Sequence, residues 1–291
     1  MKIGEVLAQR TRPFLSLEFF PPKEKEQWPA FFKTVDALSV LDPLFVSVTY
    51  GAGGSSQAYS RGITVELARK GYTAMAHLTC IGASKDSIRA YLDSLADGGV
   101  QNILALRGDT PVGQTVNWES CDFPYASDLV RFVRDEYKDF GIGVAAYLTP
   151  HPESVTFSAD RSATAFKLDQ GSEFAVTQLF FDPREYFEYV EQMKALGIVK
   201  PIIPGVLPVS SMASLKRVLS LSGCNIPAKL YLKLEEADRT GGAKAVKEAG
   251  TAYAVKQILQ LIDGGAPGVH LYTLNQAETC LRIAREVGPL Y

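Results

Sequence analysis

The feature that most constrains this chain is a regular alternation of short apolar runs with segments whose apolar residues recur at helical spacing. Most of the apolar runs end abruptly at glycine, proline or a polar turn. Strands that alternate with helices form parallel sheets, and eight such units close into a (β/α)8 TIM barrel. The eight predicted strands are residues 15–20, 44–50, 73–80, 103–106, 143–147, 173–181, 202–206 and 269–273.

The same pattern predicts a single catalytic domain over residues 1–291. No shift in composition and no low-complexity segment divides the chain, and its length suits one barrel. The interval before the eighth strand is longer than the others. Residues 228–263 predict extra helices there, with an acidic turn at residues 235–238.

The composition narrows the classes of function. A hydrophobic fraction of 46% can supply a large core, and a net charge of −2 offers no basic patch to nucleic acid. The start of the chain lacks the apolar segment of a signal peptide, and no apolar run is long enough to span a bilayer. The four cysteines form no CxxC pair, which indicates neither zinc nor disulfides. We therefore expect a cytoplasmic protein without membrane contacts.

Residues 103–106 form the most informative strand, because they are apolar without alternation and so predict burial on both faces. The strand stops at Arg107, Gly108 and Asp109, and Pro111 prevents it from resuming. Barrel enzymes place their chemistry at the carboxyl ends of the strands. Taken alone, the stretch is equally compatible with a surface turn that holds a local Arg–Asp pair.

Several other polar residues also lie at or near the carboxyl ends of predicted strands. The set is Glu18, Thr49, His77, Asp109, Tyr147, Gln178 and Thr273. Their convergence on one open face predicts an active site rather than packing. Glu18 lies between Leu17 and Phe19, so we expect burial to raise the pKa of its carboxyl group. No cluster has the spacing of metal ligands, and a Ser-His-Asp triad stays open, although no GxSxG motif supports one.

The motifs at these strand ends resemble, in order and over nearly the whole chain, the bacterial methylenetetrahydrofolate reductase family. The resemblance rests on residues 18–23, 46–52, 77–80, 105–109, 125–128, 145–147, 151–153, 177–182 and 272–275. It implies a barrel that binds FAD and reduces 5,10-methylenetetrahydrofolate to 5-methyltetrahydrofolate. NADH or NADPH would supply the electrons, with nicotinamide and folate taking turns on one face of the flavin in a ping-pong cycle.

The resemblance also implies roles for individual residues. Glu18 matches the general acid, and Asp109 matches a catalytic carboxylate that lies near the flavin and the pterin. Gln178, Thr49 and Gln276 match substrate-contacting positions, and at Gln276 a basic residue is usual in the family. The positions that match FAD contacts are Tyr50, Ala52, His77, Arg107, Gly108, Asp109, Tyr125, Ala126, Tyr147, His151, Asp160 and Lys167.

Further expectations follow from the same resemblance. No metal and no C-terminal regulatory domain are expected, and the substrates are small molecules bound by a homo-oligomer. The sequence leaves open the choice between NADH and NADPH, and whether a partner protein supplies electrons. Two other readings also stay open: a flavin-independent or deazaflavin-using reductase on the same barrel, and a folate-binding subunit without turnover.

Overall fold

The structure is a computed structural model, and it describes residues 1–50, 57–109, 121–151 and 154–289. In these residues nine short parallel strands form one sheet. The strands are β1 (Leu15–Phe19), β2 (Val46–Val48), β3 (Ala74–Thr79), β4 (Asn102–Leu106), β5 (Gly141–Ala146), β6 (Phe174–Thr177), β7 (Ile202–Ile203), β8 (Gly205–Val206) and β9 (Val269–Tyr272). Their order in the sheet is β7-β6-β5-β4-β3-β2-β1-β9-β8.

A proline interrupts one strand and thereby accounts for the two ends of that order. Pro204 separates β7, which pairs with β6, from β8, which pairs with β9. Proline has no N–H for a ladder, but its carbonyl still accepts from His270 N at 2.9 Å. Gly205 N also donates to Thr177 Oγ1 at 2.9 Å, which links β8 to β6. Residues 202–206 are therefore the predicted seventh strand, and they close an eight-stranded barrel.

Helices follow the strands along the chain. They are α1 (Ile3–Gln9), α2 (Trp28–Leu38), α3 (Gln57–Arg69), α4 (Lys85–Asp97), α5 (Ala126–Glu136), α6 (Phe157–Asp169), α7 (Pro183–Ala195), α8 (Met212–Ser222), α9 (Ala228–Asp263) and α10 (Ala277–Val287). Capping residues set several starts: Ser84 accepts from Ser87 N ahead of α4, and Thr156 accepts from Ala159 N ahead of α6. None of the helices in the described ranges is long and apolar enough to cross a membrane.

The barrel interior is filled at its amino end by apolar side chains from several strands. Helix α1, which the sequence pattern did not predict, adds Ile3 and Leu7 to this cluster. Ile3 N donates to Asn102 Oδ1 at 2.8 Å, which holds the helix against β4. Because these side chains fill the barrel interior at that end, ligands reach the interior from the opposite end.

Residues 228–263 form the predicted extra helical segment, α9, but the acidic residues 235–238 lie inside it rather than in a turn. The break occurs at Gly242, with φ 60° and ψ −157°. That region of backbone space is open essentially to glycine alone. The acidic turn was therefore a wrong prediction, because backbone freedom and not charge decides where α9 bends.

Candidate active site

Glu18 lies in the second-last position of β1, and its main chain is held from the last strand. Thr273 Oγ1 donates to Glu18 O at 2.6 Å, and Thr273 N donates to the same oxygen at 3.2 Å. Two residues further along, the amide group of Asn275 binds the Phe20 backbone: Phe20 N donates to Oδ1 and Nδ2 donates to Phe20 O. These contacts fix the backbone at Glu18 and directly after it.

The Glu18 side chain points into the barrel, where residues of three neighbouring strands surround it. Glu18 Oε2 lies 3.3 Å from His77 Nε2 and 3.3 Å from His270 Nε2. Ser47 Oγ donates to the same oxygen at 3.4 Å. On the far side of its ring, His270 Nδ1 lies 2.8 Å from Ser16 Oγ. All five side chains are buried, so a carboxylate and two imidazoles form one interior polar cluster.

The ionisation of Glu18 differs from the expectation. Burial on its own raises the pKa of Glu18, but the charge of His77 and the hydrogen bond and charge of His270 outweigh it and lower the pKa to about 2. The expected rise in pKa was wrong because it counted only the apolar neighbours in the chain, Leu17 and Phe19. The imidazoles that reverse the direction come from other strands.

Two buried polar atoms near this cluster have no hydrogen-bond partner. Thr49 Oγ1 is one of them, and Thr49 immediately follows β2. His77 Nε2 is the other, because its contact with Glu18 lacks hydrogen-bond geometry. Buried polar atoms in folded proteins nearly always find partners, so unpaired atoms at the open end of a barrel indicate a ligand. Both residues were predicted to contact substrate or cofactor.

Arg107, Gly108 and Asp109 follow β4 at the same end of the barrel. Gly108 has φ +87°, and a Cβ there would lie 2.9 Å from Ile81 and 3.0 Å from Thr79, so only glycine fits. Ile81 N donates to Arg107 O at 2.8 Å, which ties this turn to the end of β3. The Asp109 residue is exposed. The turn thus presents its carboxylate to solvent at the barrel mouth.

Tyrosines connect the two predicted catalytic carboxylates. Burial raises the pKa of Tyr147, and the negative charge of Asp109 raises it further. Burial raises the pKa of Tyr272 as well, with added contributions from Glu18 and Tyr147. Electrostatic effects of this kind fall off with distance, so Tyr147 lies near Asp109, and Tyr272 lies near Glu18 and Tyr147.

The predicted cofactor residues after β5 form a connected group. The rings of Tyr147 and His151 meet edge to face, with centroids 5.6 Å apart. Asp160 Oδ1 accepts from His151 N at 3.0 Å and from Ser154 Oγ at 2.9 Å. Its other oxygen accepts from Arg161 at 3.2 Å. Asp160 therefore holds the loop between β5 and α6, and both of its carboxylate oxygens are used within the protein.

Lys167 lies on α6 behind that loop. Its side chain is partly buried, and Nζ donates to Ala145 O of β5. Burial lowers the pKa of Lys167 to about 8, although the charge of Asp160 opposes part of that effect. Any anion that approaches this lysine stabilises its charged form, which burial disfavours.

The remaining predicted residues lie around the same barrel mouth. Gln178 is half-buried after β6, and its Oε1 accepts from Leu179 N at 2.9 Å. Gln276 begins α10, and its Oε1 accepts from Thr279 Oγ1 at 3.3 Å. Tyr50 is partly buried beside Thr79, Tyr125 is 63% exposed at the start of α5, and Ala126 is buried. Ala52 and the glycine-rich turn that contains it lie outside the described residues.

Sequence reasoning missed several residues of the site. His270 and Ser47 contact the Glu18 carboxylate, and Arg161 donates to the main-chain oxygens of Tyr147 and Leu148 at 3.0 and 2.7 Å. One signal was available: His270 is a polar residue inside an apolar strand, the same pattern that singled out His77 and Gln178. Nothing in the sequence identifies Arg161 as a site residue, because it lies in none of the motifs.

The size of a cavity does not identify the position of the polar cluster around Glu18. A cavity of about 1010 Å³ lies at the amino end of the barrel, lined among others by Arg10, Arg12 and Lys70. A second, apolar cavity of about 430 Å³ lies against α9 and α10. Neither is lined by a predicted site residue, so the candidate site rests on its polar groups. Over the residues that the structure describes, no group of three or more His, Cys, Asp or Glu side chains is placed to hold a metal ion.

Comparisons with known proteins bear on both fold and family. The family model for methylenetetrahydrofolate reductase matches residues 2–288. The 5,10-methylenetetrahydrofolate reductases of Salmonella typhimurium and Escherichia coli are each 36% identical over 275 residues, which is 94% of this chain and 90% of theirs. Methylenetetrahydrofolate reductase (NADH) 1 of Arabidopsis thaliana is 34% identical over 99% of this chain and 50% of its own.

Solved structures agree on the fold. An uncharacterized protein from Clostridium thermocellum that binds two copies of 5-methyl-5,6,7,8-tetrahydrofolic acid superposes with a TM-score of 0.64, at 13% identity over 97% of this chain and 98% of that one. Oxaloacetate acetylhydrolase superposes with a TM-score of 0.56 at 8% identity, over 97% and 83%. These likenesses confirm the predicted α/β barrel. The family match and the curated relatives together show that this chain is an enzyme, an oxidoreductase, of the methylenetetrahydrofolate reductase family.

Proposed function

We propose that this enzyme reduces 5,10-methylenetetrahydrofolate to 5-methyltetrahydrofolate with FAD as its bound cofactor, NADH or NADPH as electron donor, and a ping-pong cycle. The observation that supports this most is the Glu18 cluster at the ligand-binding end of the barrel. The reaction must open a five-membered ring that bridges two nitrogens of the folate. Protonation of the leaving nitrogen assists that opening, so the site needs an acid next to the substrate.

The described residues fit a flavin. Thr49 Oγ1 and His77 Nε2 are buried donors without partners, and Gly108 allows a ligand to approach the backbone closely. Lys167 offers a partly buried cation to a diphosphate. The residues that would hold FAD are Tyr50, His77, Arg107, Gly108, Asp109, Tyr125, Ala126, Tyr147, His151 and Lys167, with Ala52 from the turn outside the described residues. Asp160 would act by shaping the loop that carries His151.

Bound FAD would accept a hydride from the nicotinamide and pass it to the methylene carbon of the folate. The protein residues prepare the substrate for that transfer. Glu18 delivers a proton to the leaving nitrogen, and the folate becomes a 5-iminium cation. Asp109 stabilises this cation through its negative charge. Gln178 grips the pterin and the nicotinamide in turn, Thr49 contacts the nicotinamide, and Gln276 contacts the folate.

An absorbance spectrum of the purified protein tests this proposal. We expect a flavin spectrum, release of FAD on denaturation, bleaching by anaerobic NADH or NADPH, and return of the colour on addition of methylenetetrahydrofolate. Released FMN would contradict the choice of flavin, and a colourless protein that still turns over would favour a flavin-independent enzyme. A flavin that the nicotinamide bleaches but folate cannot reoxidise would contradict the substrate.

Two further expectations about assembly belong to the same proposal. A homo-oligomer should appear as a single species well above 31.7 kDa by light scattering during gel filtration. The need for an electron-supplying partner protein is tested by the same anaerobic experiment. Flavin that dithionite reduces but neither nicotinamide reduces would require such a partner, whereas rapid bleaching by NADH or NADPH alone would exclude the requirement.

A further inference from the structure

The general-acid role proposed for Glu18 meets a difficulty in the structure. A carboxyl group with a pKa of about 2 carries almost no proton near neutrality, yet each reduction consumes one proton at the folate. The open point is which group holds that proton between turnovers. It directs attention to the two imidazoles beside Glu18, since each has a ring nitrogen 3.3 Å from the carboxylate and could pass a proton to it.

His270 is the imidazole whose two ring nitrogens both contact side chains in the protein interior. Its ring is fully buried, with Nε2 at 3.3 Å from Glu18 Oε2 and Nδ1 at 2.8 Å from Ser16 Oγ. Phe45 stacks on the ring at a centroid distance of 5.6 Å and an interplanar angle of 18°. The ring is therefore fixed in orientation, unlike a surface histidine that could reach Glu18 only occasionally.

The hydrogen bonds favour a proton between His270 and Glu18. Ser16 Oγ lies 3.3 Å from the carbonyl of Val269, to which its hydroxyl donates, and this leaves the oxygen to accept from His270 Nδ1–H. The neutral ring would then present a lone pair at Nε2 to a carboxylate oxygen. Two acceptors do not remain in contact, so a proton on either atom satisfies both.

We propose that His270 is a positioning residue that stores the acid proton beside Glu18 and passes it to Glu18 in each turnover, while Ser16 holds the far nitrogen of its ring. This inference rests on the proposed function. In each turnover His270 Nε2–H gives its proton to Glu18, Glu18 gives it to the leaving nitrogen, and the bond between that nitrogen and the methylene carbon breaks. The hydride reduces the carbon, the nicotinamide is oxidised, and a proton from solvent restores His270 Nε2–H.

Other titratable groups near His270 do not replace it. Among the described residues they are Glu18 itself, His77, which contacts the same carboxylate oxygen, and Tyr272, whose ring is 5.5 Å away. The Tyr272 hydroxyl donates to Thr177 O at 2.6 Å, and burial raises its pKa, so it stays a neutral donor to the backbone. His77 Nε2 makes no hydrogen bond to Glu18, so its contact is less suited to passing a proton.

The test is His270→Gln, whose amide can donate to Glu18 but cannot ionise. Stopped-flow reoxidation of the reduced flavin by methylenetetrahydrofolate should slow by about tenfold to a hundredfold at pH 7.5. The loss should shrink as the pH falls, because the apparent pKa of the step moves down when Glu18 alone holds the proton. Reduction of the flavin by NADH and the FAD content should stay at wild-type values. An unchanged pH profile, or equal slowing of both half-reactions, would overturn the proposal.

Ser16→Ala and a spectroscopic measurement keep the proposal open to refutation if His270→Gln does not fold. Ser16→Ala should slow the folate half-reaction severalfold and leave the NADH half-reaction unchanged, and equal effects on both would count against the relay. In nitrogen-15 histidine spectra of the FAD-bound protein, the Nε2 signal of His270 should show a hydrogen bond to Glu18, and Glu18→Gln should shift that signal. A His270 signal that Glu18→Gln leaves in place refutes the contact on which proton storage depends, whereas a wild type that folate cannot reoxidise refutes the proposed function instead.

Discussion

At the scale of single residues, the ionisation of the site depends on contacts between strands. Glu18 and His270 are 252 residues apart in the chain, yet their side chains meet inside the barrel. The carboxylate is held in its charged form by imidazoles in spite of burial. A charged group that is desolvated and paired is expensive to disturb, so substitutions here should have large and selective effects.

Replacement of Glu18 by Gln separates the two half-reactions. We expect flavin reduction by NADH to stay nearly intact, because that hydride transfer moves no proton through Glu18. Flavin reoxidation by methylenetetrahydrofolate should fall by about a hundredfold to ten-thousandfold, since Gln cannot supply a proton. Anaerobic stopped flow measures each step, and Glu26→Gln at an exposed position is the matched control. A wild-type rate of reoxidation would mean that Glu18 has a structural role and is not the acid.

Replacement of Asp109 by Asn tests the second carboxylate. The variant should keep FAD, because asparagine has nearly the size of aspartate and can still hydrogen-bond the flavin from the exposed turn at the barrel mouth. Loss of the negative charge should slow folate reduction more than NADH oxidation, since only the folate step passes through a cationic intermediate. Stopped-flow rates of the two half-reactions provide the comparison. Equal slowing of both steps would argue against a charge-stabilising role.

Replacement of Lys167 by Met tests a lysine whose burial lowers the stability of the folded protein. The folded chain releases this proton above pH 8, whereas the unfolded chain keeps it to about 10.5, so the stability of the wild type should rise between those pH values. The variant should not show that rise. Its free energy of unfolding at pH 7 should increase by up to about 3 kcal/mol, reduced by about 1 kcal/mol for the lost hydrogen bond.

Urea unfolding at pH 7 and pH 9.5 measures the stability change, and a fluorescence titration measures FAD affinity. FAD binding should weaken at least about tenfold in Lys167→Met, which corresponds to one charge-assisted contact. Lys33→Met, at an exposed position on α2, is the control and should change neither quantity. Unchanged FAD affinity in the Lys167 variant would remove Lys167 from the cofactor site.

At the scale of the elements, glycine and left-handed residues decide where helices and strands stop. Leu274 and Asn275 adopt φ of 47° and 56° directly after β9, an uncommon conformation for residues with side chains. The two hydrogen bonds between Asn275 and Phe20 stabilise this turn. The strained turn therefore lies against the end of β1, where it shapes the surroundings of Glu18.

Replacement of Gly242 by Ala tests the break within α9. A Cβ at this position would meet no atom within 4 Å, so the cost is conformational and not steric crowding. We expect a loss of about 1–3 kcal/mol in the free energy of unfolding, measured in urea. Lys244→Ala, at an exposed position of the same helix, should stay within about 0.5 kcal/mol. Equal stability of both variants would mean that the helix bends for another reason.

At the scale of the whole molecule, the apolar core joins elements from both ends of the chain. One buried cluster contains residues of α2, the central strands and α10, among them Phe31, Ile103 and Ile283. The last strand β9 pairs with the first strand β1. A chain whose ends meet in one sheet and one core has no natural division into independent parts.

We therefore predict that residues 1–291 unfold as one domain. Loss of helix followed by far-ultraviolet circular dichroism and loss of tertiary structure followed by tryptophan fluorescence should share one midpoint on heating. FAD at a hundred times its Kd should raise that midpoint for both signals, by a stabilisation of about 2.7 kcal/mol. Two separated transitions would contradict the single-domain proposal.

Sequence pattern alone determined the architecture and the end of the barrel where the candidate site was sought. Strand and helix periodicity is local, so the eight strands, the helices between them and the polar residues at strand ends could all be read from neighbouring residues. The order of the motifs also identified the family. Helix α1 escaped prediction because its seven residues bury only Ile3 and Leu7, too few for a periodic signal.

Only the tertiary structure decided how those residues interact. The closure through Pro204, the clamp of Arg161 on the loop after β5, and the contact of His270 with Glu18 each join residues from different elements. The direction of the Glu18 pKa shift was mispredicted for the same reason. Burial is visible in the residues on either side of Glu18, but the charges that outweigh it act through space and depend on distances that no local pattern encodes.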